Sequence, residues 1–143
     1  HKGCDVFVST SRGEGYNIPC VDAIGFGKTP IVTGWSSPAE YVNERNGWLV
    51  DYKIENCFGT QDFPGSLYSS KQRWAEICIE DLRWCLREAY EDRSLREDKS
   101  DGCADSIEQF SYDKVGQIIK KALYEPQTQS PQSVRPNCTA ITV

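Results

Sequence analysis

Methionine is absent from this 143-residue chain, and its single histidine is residue 1. A zinc site would therefore need cysteine ligands, yet Cys4, Cys20, Cys57, Cys78, Cys85, Cys103 and Cys138 contain no CxxC pair. Structural zinc wants tetrahedral ligands at short paired spacings, so no structural zinc site is expected. An odd, scattered set of cysteines fits reduced, mostly buried thiols better than a disulfide framework. Basic excess is missing too: 16 Lys and Arg stand against 21 Asp and Glu, a net charge of −5. That balance argues against nucleic acid as a partner, since such binding leaves a basic patch. No run of about 18 apolar residues exists to span a bilayer. No charged segment followed by an apolar stretch opens the chain as a secretory signal would. A cytoplasmic location is expected, and the sequon Asn137-Cys138-Thr139 carries little weight. A core-type strand begins within a few residues of His1, and no methionine precedes it, so the sequence is expected to be part of a longer protein.

What is present reads as alternating strands and helices within one domain of modest core. Asp5-Val6-Phe7-Val8-Ser9 predicts a buried strand from its β-branched and aromatic residues. Ile18, Val21, Asp22 and Ile24 start a short helix with Pro19 in its first turn, where a missing N–H costs nothing. Gly25-Phe26-Gly27 ends it, and Pro30-Ile31-Val32-Thr33 predicts the next strand, broken by Gly34. Ser37-Pro38-Ala39-Glu40 predicts a helix start, with Ser37 as cap, Pro38 in first place and Glu40 closing a capping box. Asn46-Gly47 is a turn and Trp48-Leu49-Val50 a third strand. This order predicts an α/β fold with a parallel sheet.

Periodicity then vanishes from 51 to 73, which predicts an irregular insertion. From Trp74 onward Cys78, Leu82, Cys85, Leu86 and Ala89 share a helical face. A second amphipathic helix is expected at 112–124, with Val115, Ile118, Ile119, Ala122 and Leu123 as its stripe. Both stripes are expected to pack in the core. The Pro/Gln/Ser-rich tail 125–143 is expected to be disordered.

Gly25-Phe26-Gly27-Lys28-Thr29 imitates the end of a P-loop. That motif needs a glycine where Asp22 stands and must run from strand into helix, whereas this one leaves a helix for a strand. The pair Glu14 and Asp22 is more informative. Glu14 lies between Gly13 and Gly15, which let a ligand approach the backbone closely. A helix beginning near Asn17 aims free N–H groups at the same place and favours an anion there. The bland alternative is a solvated turn acid and a helix acid.

Four segments in order carry a resemblance: E-G-Y-N-I-P-C-V-D-A (14–23), F-G-K-T-P-I-V (26–32), P-A-E-Y-V (38–42) and N-G-W-L-V (46–50). W-A-E-I-C-I-E-D-L (74–82) and F-S-Y-D-K-V (110–115) extend it. They resemble the C-terminal, donor-binding half of GT-B-fold glycosyltransferases of the group-1, family-4 class. The resemblance implies a partial Rossmann-like domain over 1–124, with about three parallel strands flanked by helices and a C-terminal helical segment. It implies sugar transfer from a nucleoside diphosphate to an acceptor hydroxyl, with retention and no metal. Glu14 would be the catalytic carboxylate at the donor sugar. Gly15 and the amides of Tyr16, Asn17 and Ile18 would bind sugar and distal phosphate, and Asp22 would accept both ribose hydroxyls.

Relative to the family, Asp22 stands for a glutamate, Thr10-Ser11 for Pro-Ser, and Ser36-Ser37 for a glycine pair. The family's phosphate-clamping cations and its N-terminal acceptor domain, a missing partner here, precede the matched region. Arg12 and Lys28 are read as solvated cations, and no residue resembles a general acid–base catalyst. The parent would associate peripherally with a membrane, and the isolated chain is expected not to turn over substrate. Two other readings stay open: a non-catalytic nucleotide-sugar-binding module, and an interaction piece whose Asp5–Ser9 strand offers an open apolar edge.

Overall fold

The computed structural model describes residues 2–57 and 72–124; His1, 58–71 and the tail 125–143, with the expectations placed on them, lie outside the described residues. Two compact units divide the chain, one ending at Gln109 and the other starting at Phe110. The first is a mixed α/β unit built on a three-stranded parallel sheet flanked by helices.

Strand β1 (Val6–Ser9) pairs with β2 (Thr29–Thr33), which pairs with β3 (Trp48–Val50), all parallel. Every residue of β2 is buried, as befits the central strand of a sheet covered on two faces. Helix α1 (Ile18–Gly25) links β1 to β2, and its Cys20, Ala23 and Ile24 are buried. Phe26 returns its N–H to Asp22 O at 3.1 Å, and Gly27 takes φ 66°, the left-handed exit that glycine adopts without strain. Ile31, Trp48 and Val50 form a core cluster with Cys85 and Ala89 of α3 (Ile79–Glu91), and Val6, Ile77, Leu82 and Leu95 pack against it. Helix α4 (Arg93–Ile107) contacts α1 and β2, burying Cys103 and Lys99.

Several expectations are corrected. Part of the stretch taken for an irregular insertion is strand β4 (Tyr52–Asn56), paired antiparallel with β5 (Arg73–Ile77). Trp74 therefore opens no helix; α3 begins only after Cys78, whose backbone is extended. The helical spacing from Leu82 through Ala89 falls within α3, whereas Trp74 lies in a strand whose side chains alternate instead. Helix α4 carries a weak apolar pattern, and nothing in the periodicity announced it. The capping box at Ser37 does not form. Ser37 already has helical angles (φ −59°, ψ −34°), whereas a cap residue needs an extended backbone, and the helix α2 (Pro38–Tyr41) lasts four residues. The Ser37 hydroxyl is buried and takes no hydrogen-bond partner among the described residues. In the second unit, α5 (Tyr112–Tyr124) has its stripe, but Val115, Ile118, Ile119 and Leu123 are exposed. A lone helix has no second element of its own unit, among the described residues, on which to pack.

Among the described cysteines, Cys20, Cys57, Cys85 and Cys103 are buried free thiols. Burial pushes Cys20 and Cys85 up to about 11 and Cys103 up to about 12, against an ordinary 9.0. Above pH 9 the unfolded chain gives up these protons while the folded one keeps them. Their contribution is thus complete below pH 9 and is lost as pH rises toward 11 to 12. Burial lowers Lys99, which works the other way, since stability then rises with pH toward 10.5. Three thiols outweigh one amine. Melting temperature is expected to fall steadily above pH 9, and less steeply in Cys103→Ala. A flat profile to pH 11 would contradict this.

Candidate functional site

Three parallel strands end at the same side of the sheet, and the loops leaving β1 and β2 meet there, where α/β sheets receive ligands. The loop after β1 carries Glu14, half-buried, then Gly15 and Tyr16, which are exposed. Asn17 is 7% exposed and holds a left-handed backbone (φ 60°, ψ 61°), an uncommon conformation outside glycine that asparagine tolerates. Its side chain does not cap α1. Instead Nδ2 donates to Ser9 Oγ at 3.1 Å, tying the turn back to the end of β1.

Helix α1 then starts at Ile18, with Pro19 contributing no N–H and Cys20 N donating to Asn17 O at 2.9 Å. The outward donors this tip can offer are those of Asn17 and Ile18, half the set an ideal helix start presents. Asp22 lies four residues after Ile18, so the two share a face, and both are exposed. Gly15, Tyr16, Asn17 and Ile18 are brought together at the tip, with Asp22 one turn along the solvent face. Three cavities of about 360, 480 and 370 Å3 line other parts of the first unit, and none includes residues 14–18 or Asp22. The candidate site is a shelf at the strand ends, with Gly15, Tyr16, Ile18 and Asp22 exposed among the described residues.

Neighbouring elements build its walls. Arg12 Nε meets Glu76 Oε2 at 2.7 Å, and its guanidinium lies 4.4 Å from the Trp74 ring centre. Glu76 holds the guanidinium above its ordinary pKa. Ala75 N donates to Arg12 O at 3.1 Å, so the β4–β5 hairpin borders the turn. Trp35 and Tyr52 approach at 5.5 Å between ring centres, as do Tyr16 and Tyr41 at 5.8 Å. Lys28 precedes β2, at the opposite end of the sheet from the turn, so it cannot serve this shelf. Among the described residues no cluster of His, Cys, Asp and Glu could hold a metal ion, and no helix is long and apolar enough to cross a membrane.

Thr33, Ser36 and Tyr41 each donate a hydrogen bond to a backbone carbonyl of the turn, and of the three only Ser36, standing for a glycine, was marked by the sequence. Tyr41 sat in plain view within P-A-E-Y-V, but spacing gave no sign that its hydroxyl reaches back 25 residues.

No protein-family model matches the chain, and no curated protein matches it.

Proposed function

We propose that the shelf binds a nucleoside-diphosphate sugar as part of a glycosyltransferase of the GT-B type, with the sheet as the second half of a Rossmann-like domain. The observation that carries this reading is the route of the chain at the strand ends. A glycine-flanked acid leads directly into a helix tip, and a second acid follows one turn along the exposed face. Glu14 would accept hydrogen bonds from the donor sugar and support charge at its anomeric carbon, the role of a carboxylate facing a cation-like transition state. Asn17 and Ile18 would donate to the distal phosphate. Asp22 would take the ribose diol, two neutral donors to one ionised acceptor. Transfer by such a site depends on positioning and on stabilising the leaving diphosphate, and no metal enters the reading.

Calorimetry of the chain with UDP-glucose, GDP-mannose and ADP-glucose tests this. At least one is expected to bind, and Asp22→Ala to weaken it by about tenfold or more, the worth of a hydrogen-bonded charge. Silence toward all three would end the reading.

A further inference from the structure

Three side-chain hydroxyls hold the turn that carries Glu14, beside the backbone bond it receives from Ala75. Thr33 Oγ1 donates to Ser11 O at 2.8 Å, Ser36 Oγ to Glu14 O at 2.6 Å, and Tyr41 Oη to Tyr16 O at 2.7 Å. All three donors belong to the segment running from the end of β2 through α2. A trans peptide is planar, so its C=O and N–H point in opposite directions. Drawing these three carbonyls toward α2 turns the amides of Arg12, Gly15 and Asn17 away from it. The residues at the two ends of this clamp share one feature. Ser36 (φ 64°) and Asn17 (φ 60°) are the only described non-glycine residues with left-handed backbones. Such a conformation is unfavourable by about 1–2 kcal/mol and persists where surrounding contacts impose it.

We infer that Tyr41 and Ser36 are positioning residues, setting the planes of the Tyr16–Asn17 and Glu14–Gly15 peptides so that the Asn17 and Gly15 amides face the sugar and distal phosphate of the donor. This rests on the nucleotide-sugar reading of the shelf. Tyr41 suits the task. It is 5% exposed, its ring rests beside Tyr16, and a second contact of its hydroxyl reaches Asn17 O at 3.4 Å. Burial also raises its phenol far above the ordinary 10.0, so the hydroxyl remains a donor throughout the neutral range. Ser36 explains why a hydroxyl is tolerated where the backbone favours glycine: its side chain takes the carbonyl that precedes Gly15.

Tyr41→Phe keeps the ring and removes the donor. A purely structural hydroxyl would lower the melting temperature and leave every ligand's affinity for the folded protein alone. A positioning hydroxyl discriminates between ligands. The diphospho-sugar that binds wild type best is expected to weaken about tenfold, because it needs the oriented amides. The matching nucleoside monophosphate, lacking sugar and distal phosphate, should bind as before. The Asn17 amide resonance is expected to shift in the same variant without ligand. Ser36→Gly is the second arm, since relief of the left-handed strain offsets the lost hydrogen bond and the fold should survive. It should show the same split between diphospho-sugar and monophosphate.

A wild-type chain that binds none of the three sugar nucleotides overturns the functional reading, and this inference with it. Wild-type binding with undiminished diphospho-sugar affinity in both variants overturns the inference alone. So does an equal loss for diphospho-sugar and monophosphate.

Discussion

Gly102→Ala is expected to destabilise the first unit by about 3 kcal/mol, although the same exchange in an exposed helix interior stabilises by about 1 kcal/mol. Gly102 lies inside α4, where alanine would ordinarily be the better residue. A Cβ there would run into the backbone carbonyl of Arg45, which no rotamer change can move aside. Helix α4 and the turn at 43–47 would have to separate. Their contact is bonded at several points: Asn46 Nδ2 donates to Ser106 Oγ at 2.7 Å, Cys103 Sγ donates to Asn46 O at 3.2 Å, and Lys99 Nζ donates to Gly47 O at 3.0 Å. Withdrawing the helix strains all of them together. Domains of this size hold about 5–15 kcal/mol in total, so the midpoint of urea unfolding should fall markedly. A midpoint equal to or above wild type would show that α4 does not approach the turn this closely.

That contact also marks where the sequence could and could not be read. The three parallel strands, α1 and the Asn46-Gly47 turn were legible because each is a local matter: β-branched runs, a proline in a first turn, a turn dipeptide. Helix α4 was not. Seven of its fifteen residues Arg93–Ile107 are charged, and its buried members Lys99 and Cys103, though four apart, make no apolar stripe. Its place is fixed by polar groups reaching carbonyls 52 to 57 residues away, which no window of sequence displays. The β4–β5 hairpin was hidden for a related reason, since its register joins residues on either side of 58–71. At the candidate site the turn and the order Glu14, Asn17, Asp22 were legible from glycines and the helix start. The hydroxyls that orient the turn were not, because Ser36 and Tyr41 act across the sheet end on residues 22 and 25 positions earlier.

Lys99→Met is expected to cost about 3 kcal/mol, although burying a charge is itself unfavourable. The Lys99 ammonium donates to Glu44 O at 2.5 Å and to Gly47 O at 3.0 Å, and sits 4.7 Å from the Trp48 ring centre. Trp48 is fixed in turn, its Nε1 donating to Glu88 Oε2 at 2.6 Å. Methionine preserves most of the stem volume and removes the donors. Each carbonyl left unpaired in a buried place costs about 1–3 kcal/mol, and the lost ring contact about 0.5–2 kcal/mol. Desolvation of the amine, the cause that lowers its pKa, is recovered and offsets part of this. The buried Gly47 carbonyl left unpaired, the part-buried Glu44 carbonyl and the lost ring contact together outweigh that recovery, so thermal and urea midpoints should both drop at pH 7. The alkaline behaviour separates this account from simple loss of packing. Wild-type Lys99 adds stability as pH rises toward 10.5, opposing the decline set by Cys20, Cys85 and Cys103. With Lys99 gone that opposition disappears, so the variant should lose stability above pH 9 more steeply than wild type. Parallel declines in the two proteins would mean that Lys99 is not buried as an ammonium against those carbonyls.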